Sequence, residues 1–195
     1  LGDVYKRQDE LASDSPAPGG GSVSALSCAM AASLTAMVAA LTAGKKKFND
    51  VHPKMWEVGC KAQELKKRLV EAIDRDTDAF NELMEAARSK DPAREEAANK
   101  GAVEVPLSVC KMSAEMMDLI EVVVEKGNPA SVSDGGVAAL QVAAGCHGAC
   151  MNVIINLPSV KDREWADRVA KEATKLQDHC HKRSLEIVAK AEKKL

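Results

Sequence analysis

Aromatic residues are scarce in this chain: two Trp, one Tyr and two Phe among 195 residues leave little with which to stack nucleic-acid bases. An excess of one charge is missing too, because 27 basic residues stand against 29 acidic ones for a net charge of −2. No global field therefore points to a nucleic-acid partner. The six cysteines lie scattered without a CxxC pair. With no secretory signal ahead of the first charged residues, this usage points to a reducing cytoplasm in which the thiols act as small hydrophobes. Metal-ligand spacing is absent as well. His179-Cys180-His181 sets its imidazoles two residues apart, so on a helix they diverge, and Cys146 and Cys150 lack further ligands, so no metal is expected. Finally, strand-like alternation is lacking, since Val153-Ile154-Ile155 is short and lies in a helical frame. The expected fold class is all-α, a compact bundle of about six helices. Without a preceding strand, the dinucleotide and P-loop readings of Gly19-Gly20-Gly21 fall away.

What the chain does have is a shaped loop, Ser15-Pro16-Ala17-Pro18-Gly19-Gly20-Gly21-Ser22, running into an uncharged segment that ends at Ala43. Prolines are excluded from a helix interior, and glycines reach backbone angles closed to other residues, so the loop delivers the chain into a helix. Bare first-turn N–H groups there suit an anion or a polar ring edge; the alternative is a tight cap that lets helices pack closely. A second uncharged run, from Gly135 to Pro158, is interrupted only by His147. Both runs are long enough to span a bilayer, but they consist mostly of Ala, Gly, Ser, Thr, Cys and Asn, and the mean hydropathy of the chain is −0.21. They read as two buried central helices of a soluble bundle, with no membrane as partner.

Around them lie amphipathic helices. Lys45-Lys46-Lys47 follows the first central helix, where cations complement the helix dipole. From Met55 a stripe of Val58, Ala62, Leu65, Leu69, Ala72, Ala79, Leu83 and Ala86 recurs at steps of three and four. After Pro92 the stripe runs Ala98, Ala102, Val105, Val109, Met112, Met116, Leu119 and Val123, with Pro106 expected to kink or break it and Gly127-Asn128-Pro129 as the stop. Ser131 or Ser133 is the expected cap of the second central helix. From Asp134 its strip of Ala138, Gln141, Gly145, Gly148, Asn152 and Asn156 is polar or tiny throughout, as suits another backbone or a polar ligand. Such strips exceed what one bundle uses, which predicts a homodimer. Asp162 caps the last helix. Leu1–Gln8 has no period and reads as a remnant of cloning or sequence assembly, which sets residues 1–8 apart from a single helical domain over 9–195.

One place in the Met55 stripe is missing, and it falls on Asp76. A carboxylate on a buried seam costs several kcal/mol unless it is paired or lines a solvated site. Two readings stand: an ion pair with a Lys or Arg of another helix, or a site that uses the carboxylate. Asp74 and Asp78, four apart, share a neighbouring face.

Six stretches now carry a resemblance. LAS-x2-PAPGGGSVSAL (11–26), AGKKKF (43–48), DRDTDAF (74–80), VPL (105–107), GN-x4-SD (127–134) and NVIINL followed by Asp162 together resemble the cyclodeaminase/cyclohydrolase family. This family includes the C-terminal domain of formiminotransferase-cyclodeaminase and stand-alone methenyltetrahydrofolate cyclohydrolases. The resemblance covers nearly everything after Asp9; the opening helix departs from the pattern, as if truncated or replaced. It implies a dimeric all-helical enzyme that binds reduced folate, possibly polyglutamylated, and acts on its one-carbon unit with no cofactor beyond that tetrahydrofolate substrate.

The favoured activity is formiminotetrahydrofolate cyclodeaminase, in which N10 attacks the formimino carbon and ammonia leaves. The alternatives are methenyltetrahydrofolate cyclohydrolase in the same pocket, and a non-catalytic folate-binding bundle. The chemistry needs an acid and a base, for which Asp76 is the first candidate and Asp134 the second. Asn152 and Asn156 are expected on the pterin amide edge, and Lys45 or Lys47 on the glutamate tail. Pro18, Gly19, Gly20, Gly21, Ser22, Asp78, Asn128 and Ser133 complete the expected substrate contacts.

Overall fold

The computed structural model describes the backbone of residues 2–195 and the side chains of residue 6 and residues 8–195. Its helices are α1 (Gly2–Leu11), α2 (Gly20–Ala43), α3 (His52–Ser89), α4 (Pro92–Lys126), α5 (Val132–Asn156) and α6 (Arg163–Glu192), joined by single 3-10 turns at Lys46–Phe48, Pro129–Ser131 and Leu157–Ser159. No strand occurs among the described residues. α1 runs through residues that the sequence sets apart, and its described side chains after Lys6, from Gln8 to Leu11, are exposed.

Periodicity makes these helices. In α3, Met55, Val58, Ala62, Leu65, Leu69, Ala72 and Ala86 are buried at the expected spacing, while Ala79 and Leu83 beside Asp76 are only half-buried. Capping fixes the ends: the Asp91 carboxylate accepts from the N–H of Ala93 at 2.9 Å, and that of Asp162 from Trp165 at 3.1 Å. Two expectations change. Ser131 occupies the N-cap of α5, but neither it nor Ser133 makes a side-chain cap hydrogen bond. Pro106 does not break α4, which runs unbroken from Pro92 to Lys126.

At the centre, α2 and α5 lie antiparallel. Ser27 Oγ donates to the Gln141 carbonyl at 2.9 Å and to its Oε1 at 2.6 Å, and a methyl placed on Gly145 would collide with Cys28 and Ser24 of α2. The small-residue strip of α5 is thus consumed inside the chain, against the backbone of α2. What remains unpartnered is the outer face: Val23, Met30, Met37 and Leu41 of α2, with Val137, Leu140, Met151, Ile154 and Ile155 of α5, the last 73% exposed. Both helices are long and apolar enough to cross a membrane, yet about half of each is buried in the bundle, 56% and 44% respectively. Of the six free cysteines all but Cys60 are buried, and burial pushes the Cys28 thiol up to about 12, an unreactive core group.

A half-buried cation clamps α6 to α4. Arg183 contacts Glu121 at 2.8 Å and Asp118 at 3.2 Å, and Lys190 also reaches Glu121. Hydrogen bonds from Arg183 and then Lys190 lower the Glu121 carboxyl from 4.5 to about 2. Because the folded-state value is depressed, the stabilisation is complete above about pH 4.5 and is lost as the pH falls towards 2. Arg183→Met should therefore cost about 1 kcal/mol near neutrality, after allowing for solvent screening. That corresponds to a Tm lower by about 2–4 °C. The gap should close near pH 2; melting curves at both pH values check this.

Candidate functional site

The loop ahead of α2 ends in Gly19, the N-cap, without a side-chain cap hydrogen bond. Among the described residues the N–H groups of Gly20, Gly21 and Ser22 find no acceptor, as the first turn of a helix dictates. α3 passes directly beneath. Ser22 Oγ donates to Asp76 Oδ2 at 2.9 Å and also approaches the Ile73 carbonyl at 3.2 Å. No ion pair reaches Asp76 among the described residues, where its partner is the Ser22 hydroxyl. Its second oxygen, Oδ1, lies against Gly21 and meets no donor among the described residues.

From the other side comes the end of α5. Asn152 Nδ2 donates to the Gly148 carbonyl at 2.8 Å, and Asn156 Nδ2 to the Ala102 carbonyl at 2.9 Å. Each carboxamide is thereby oriented, and its Oδ1 has no donor among the described residues. These groups surround a cleft of about 200 Å³ lined by Pro16, Ala17, Gly19–Gly21, Asp76, Ala79, Phe80, Leu83, Ala102, Asn152 and Asn156. It offers acceptor oxygens from Asp76 and the two asparagines facing bare helix-start N–H groups, with Phe80 and Leu83 as apolar wall. A flat heterocycle carrying donors and an acceptor along one edge matches this pattern. On the far side of the Ser22–Asp76 contact, Pro18, Ser22, Val23, Leu26, Ile73, Asp74 and Thr77 line a second groove of about 230 Å³.

Of the three glycines Gly21 is needed for room, and none is needed for angle. No glycine has a positive φ, which corrects the expectation of backbone conformations closed to other residues. A methyl on Gly21 would collide with Asp76 Oδ1, one on Gly20 would sit 3.4 Å from Asn152 Nδ2, and one on Gly19 would meet nothing within 4 Å.

The other expected residues are not brought here. Asp78 follows Asp76 by two positions, about 200° around the helix, and is exposed away from the cleft. Lys45 and Lys47 lie past the far end of α2, about 36 Å along its axis at ~1.5 Å per residue, where both are exposed. Because α5 is antiparallel to α2, Ser133 and Asp134 sit at that same far end, with Asp134 about 27 Å from Asn152 by the same rise. Asn128 is structural: its N–H donates to Thr42 Oγ1 at 2.8 Å, and its Oδ1 accepts from Ala130. Within one chain Asp134 is therefore no partner for Asp76, and neither lysine reaches a ligand in the cleft. The residues missed by sequence reasoning are Phe80 and the Ala102 carbonyl. Phe80 adjoins Asp76 on the stripe, and Pro106 four residues on signals that Ala102 lacks a helical donor.

Gly21→Ala should displace Asp76 or the loop and cost about 1–3 kcal/mol, seen as a lowered Tm. Gly20→Ala should be tolerated. Combining Gly21→Ala with Asp76→Ala should recover the loss, because the colliding oxygen is gone.

The formiminotransferase-cyclodeaminase family model matches residues 4–175. Methenyltetrahydrofolate cyclohydrolase of Methylorubrum extorquens is 40% identical over 173 residues, covering 84% of this chain and 83% of that protein. Formimidoyltransferase-cyclodeaminase of Dictyostelium discoideum is 37% identical over 170 residues, 85% of this chain but 32% of that longer protein. The crystal structure of formiminotetrahydrofolate cyclodeaminase from Thermotoga maritima superposes with a TM-score of 0.86 at 29% identity, covering 95% of this chain and 94% of that one.

Proposed function

The chain belongs to the formiminotransferase-cyclodeaminase family, and on that premise we propose that it is a formiminotetrahydrofolate cyclodeaminase, converting 5-formiminotetrahydrofolate to 5,10-methenyltetrahydrofolate and ammonia. The observation that carries this is the convergence of Asp76, two oriented asparagine acceptors and unpaired helix-start N–H groups on one cleft. The N3–H and 2-amino donors of a pterin suit Asn152 and Asn156, and its 4-oxo group suits the N–H groups of Gly20 and Gly21. A cleft of about 200 Å³ takes the fused ring, leaving the remainder of a folate outside it.

Ser22 occupies Asp76 Oδ2 and leaves Oδ1 for the substrate. With the formimino group bound as its amidinium (–CH=NH2+), N10 attacks the formimino carbon and Oδ1 accepts the N10 proton; Asp76 then returns that proton to the NH2 of the tetrahedral carbon, which leaves as ammonia while the positive charge stays on the methenyl bridge. One C–N bond forms, one breaks, and the carboxylate is restored. No metal or further cofactor enters this scheme, and we place the protein in the cytoplasm.

The name of the Methylorubrum relative supports a second reading, in which water adds to the methenyl carbon in the same cleft. Purified protein offered each folate separately decides between them: methenyl absorbance rises for cyclodeamination of the formimino substrate and falls for hydrolysis of the methenyl one. No change with either would overturn both. Asp76→Asn still accepts from Ser22 and should keep its Tm, while turnover falls roughly a hundredfold or more. Full activity would remove Asp76 from the proposal.

The unpartnered apolar face of α2 and α5 supports a homodimer. Antiparallel pairing of two such faces would set the Lys45–Lys47 end of one protomer beside the loop end of its partner. Sedimentation at micromolar concentration should give a dimer, and Met30→Glu with Met37→Glu a monomer; a monomeric unmodified protein would contradict this.

A further inference from the structure

We propose that Pro106 is a positioning residue for the cleft: by withholding a backbone N–H inside α4 it frees the Ala102 carbonyl, which then holds the Asn156 carboxamide in its binding orientation. In an uninterrupted helix the N–H of residue 106 would donate to the carbonyl of residue 102; proline has none. That carbonyl does not stay orphaned. Asn156 Nδ2, 54 residues further on, donates to it at 2.9 Å, and Ala102 and Asn156 both line the cleft. Pro106 itself is buried and lines no wall of the cleft, so its influence runs through that carbonyl. With one Nδ2 proton committed, Oδ1 is fixed in place as an acceptor, and the carboxamide cannot flip to exchange Oδ1 for Nδ2 without stranding the carbonyl. The anchor differs from that of Asn152, which bonds back to Gly148 within its own helix and needs nothing from α4.

The inference rests on the cleft being the folate site, and the test separates the two. Pro106→Ala restores the helical hydrogen bond, so it should melt at the same temperature or higher while kcat/KM falls about tenfold, the usual worth of one oriented hydrogen bond. A side chain that merely packed would not yield a variant that is equally stable yet slower. Asn156→Asp keeps the acceptor and loses the donor; it should lower the Tm in the native background and much less in Pro106→Ala, where the carbonyl has its own N–H. Independently of any variant, the Asn156 side-chain NH2 protons should exchange with water more slowly than those of exposed Asn49 and Asn81. Full activity of Pro106→Ala beside an inactive Asp76→Asn would overturn this inference and leave the folate reading intact. Equal Tm losses from Asn156→Asp in both backgrounds, or rapid Asn156 NH2 exchange, would overturn it even in a protein inert towards both folates.

Discussion

The rest of the molecule depends on the close antiparallel approach of α2 and α5. Gly145 and Gly148 of α5 leave room for Cys28 and Ser24 of α2, and any side chain there would collide with them. The contact draws little strength from large apolar side chains, because few exist along it; it relies on backbones near enough for dispersion and for bonds such as Ser27 to Gln141. Its functional consequence is a matter of register. With α5 held at that height, Asn152 meets Gly20 and Asn156 reaches across to α4, so one end of the bundle collects the polar groups.

That end is also where the apolar stripe of α3 gives way. Asp76 stands where periodicity calls for a hydrophobe, and its neighbours Ala79 and Leu83 are half-buried because they face an open cleft rather than another helix. Among the described residues the carboxylate is held by the Ser22 hydroxyl and meets no cation. Ser22 orients Oδ2, while Oδ1 lies against Gly21. A roomier groove of about 600 Å³ lies at the opposite end, beside exposed Trp56; Ala and Gly make up most of its lining, with His52, Cys60 and Gln63 as polar side chains and no carboxylate.

The fold was legible in the sequence to the extent that local patterns decide it. The two uncharged runs became α2 and α5, the stripes of α3 and α4 lie inward, and Asp76 stood out as a gap in a period. Position along a helix was not legible as position in space. Asp134, Lys45 and Lys47 belong to the same motifs as the cleft residues, yet antiparallel packing carries them to the far end. The glycines were read for conformational freedom, but their backbone angles are ordinary and the constraint is the nearness of Asp76, a tertiary fact. The link from Pro106 to Asn156 was half visible: a proline inside a helical period announces an orphaned carbonyl, but only the fold names its donor.

The claim that the cleft at the start of α2 receives the folate is tested most directly by titrating the unmodified protein with 5-formyltetrahydrofolate, a stable reduced folate, and following its NMR resonances. The account predicts that the amide signals of Gly20, Gly21 and Ser22 and the side-chain NH2 signals of Asn152 and Asn156 shift together and saturate with one affinity. Shifts gathered instead around His52, Trp56 and Gly59, with the loop unmoved, would contradict it.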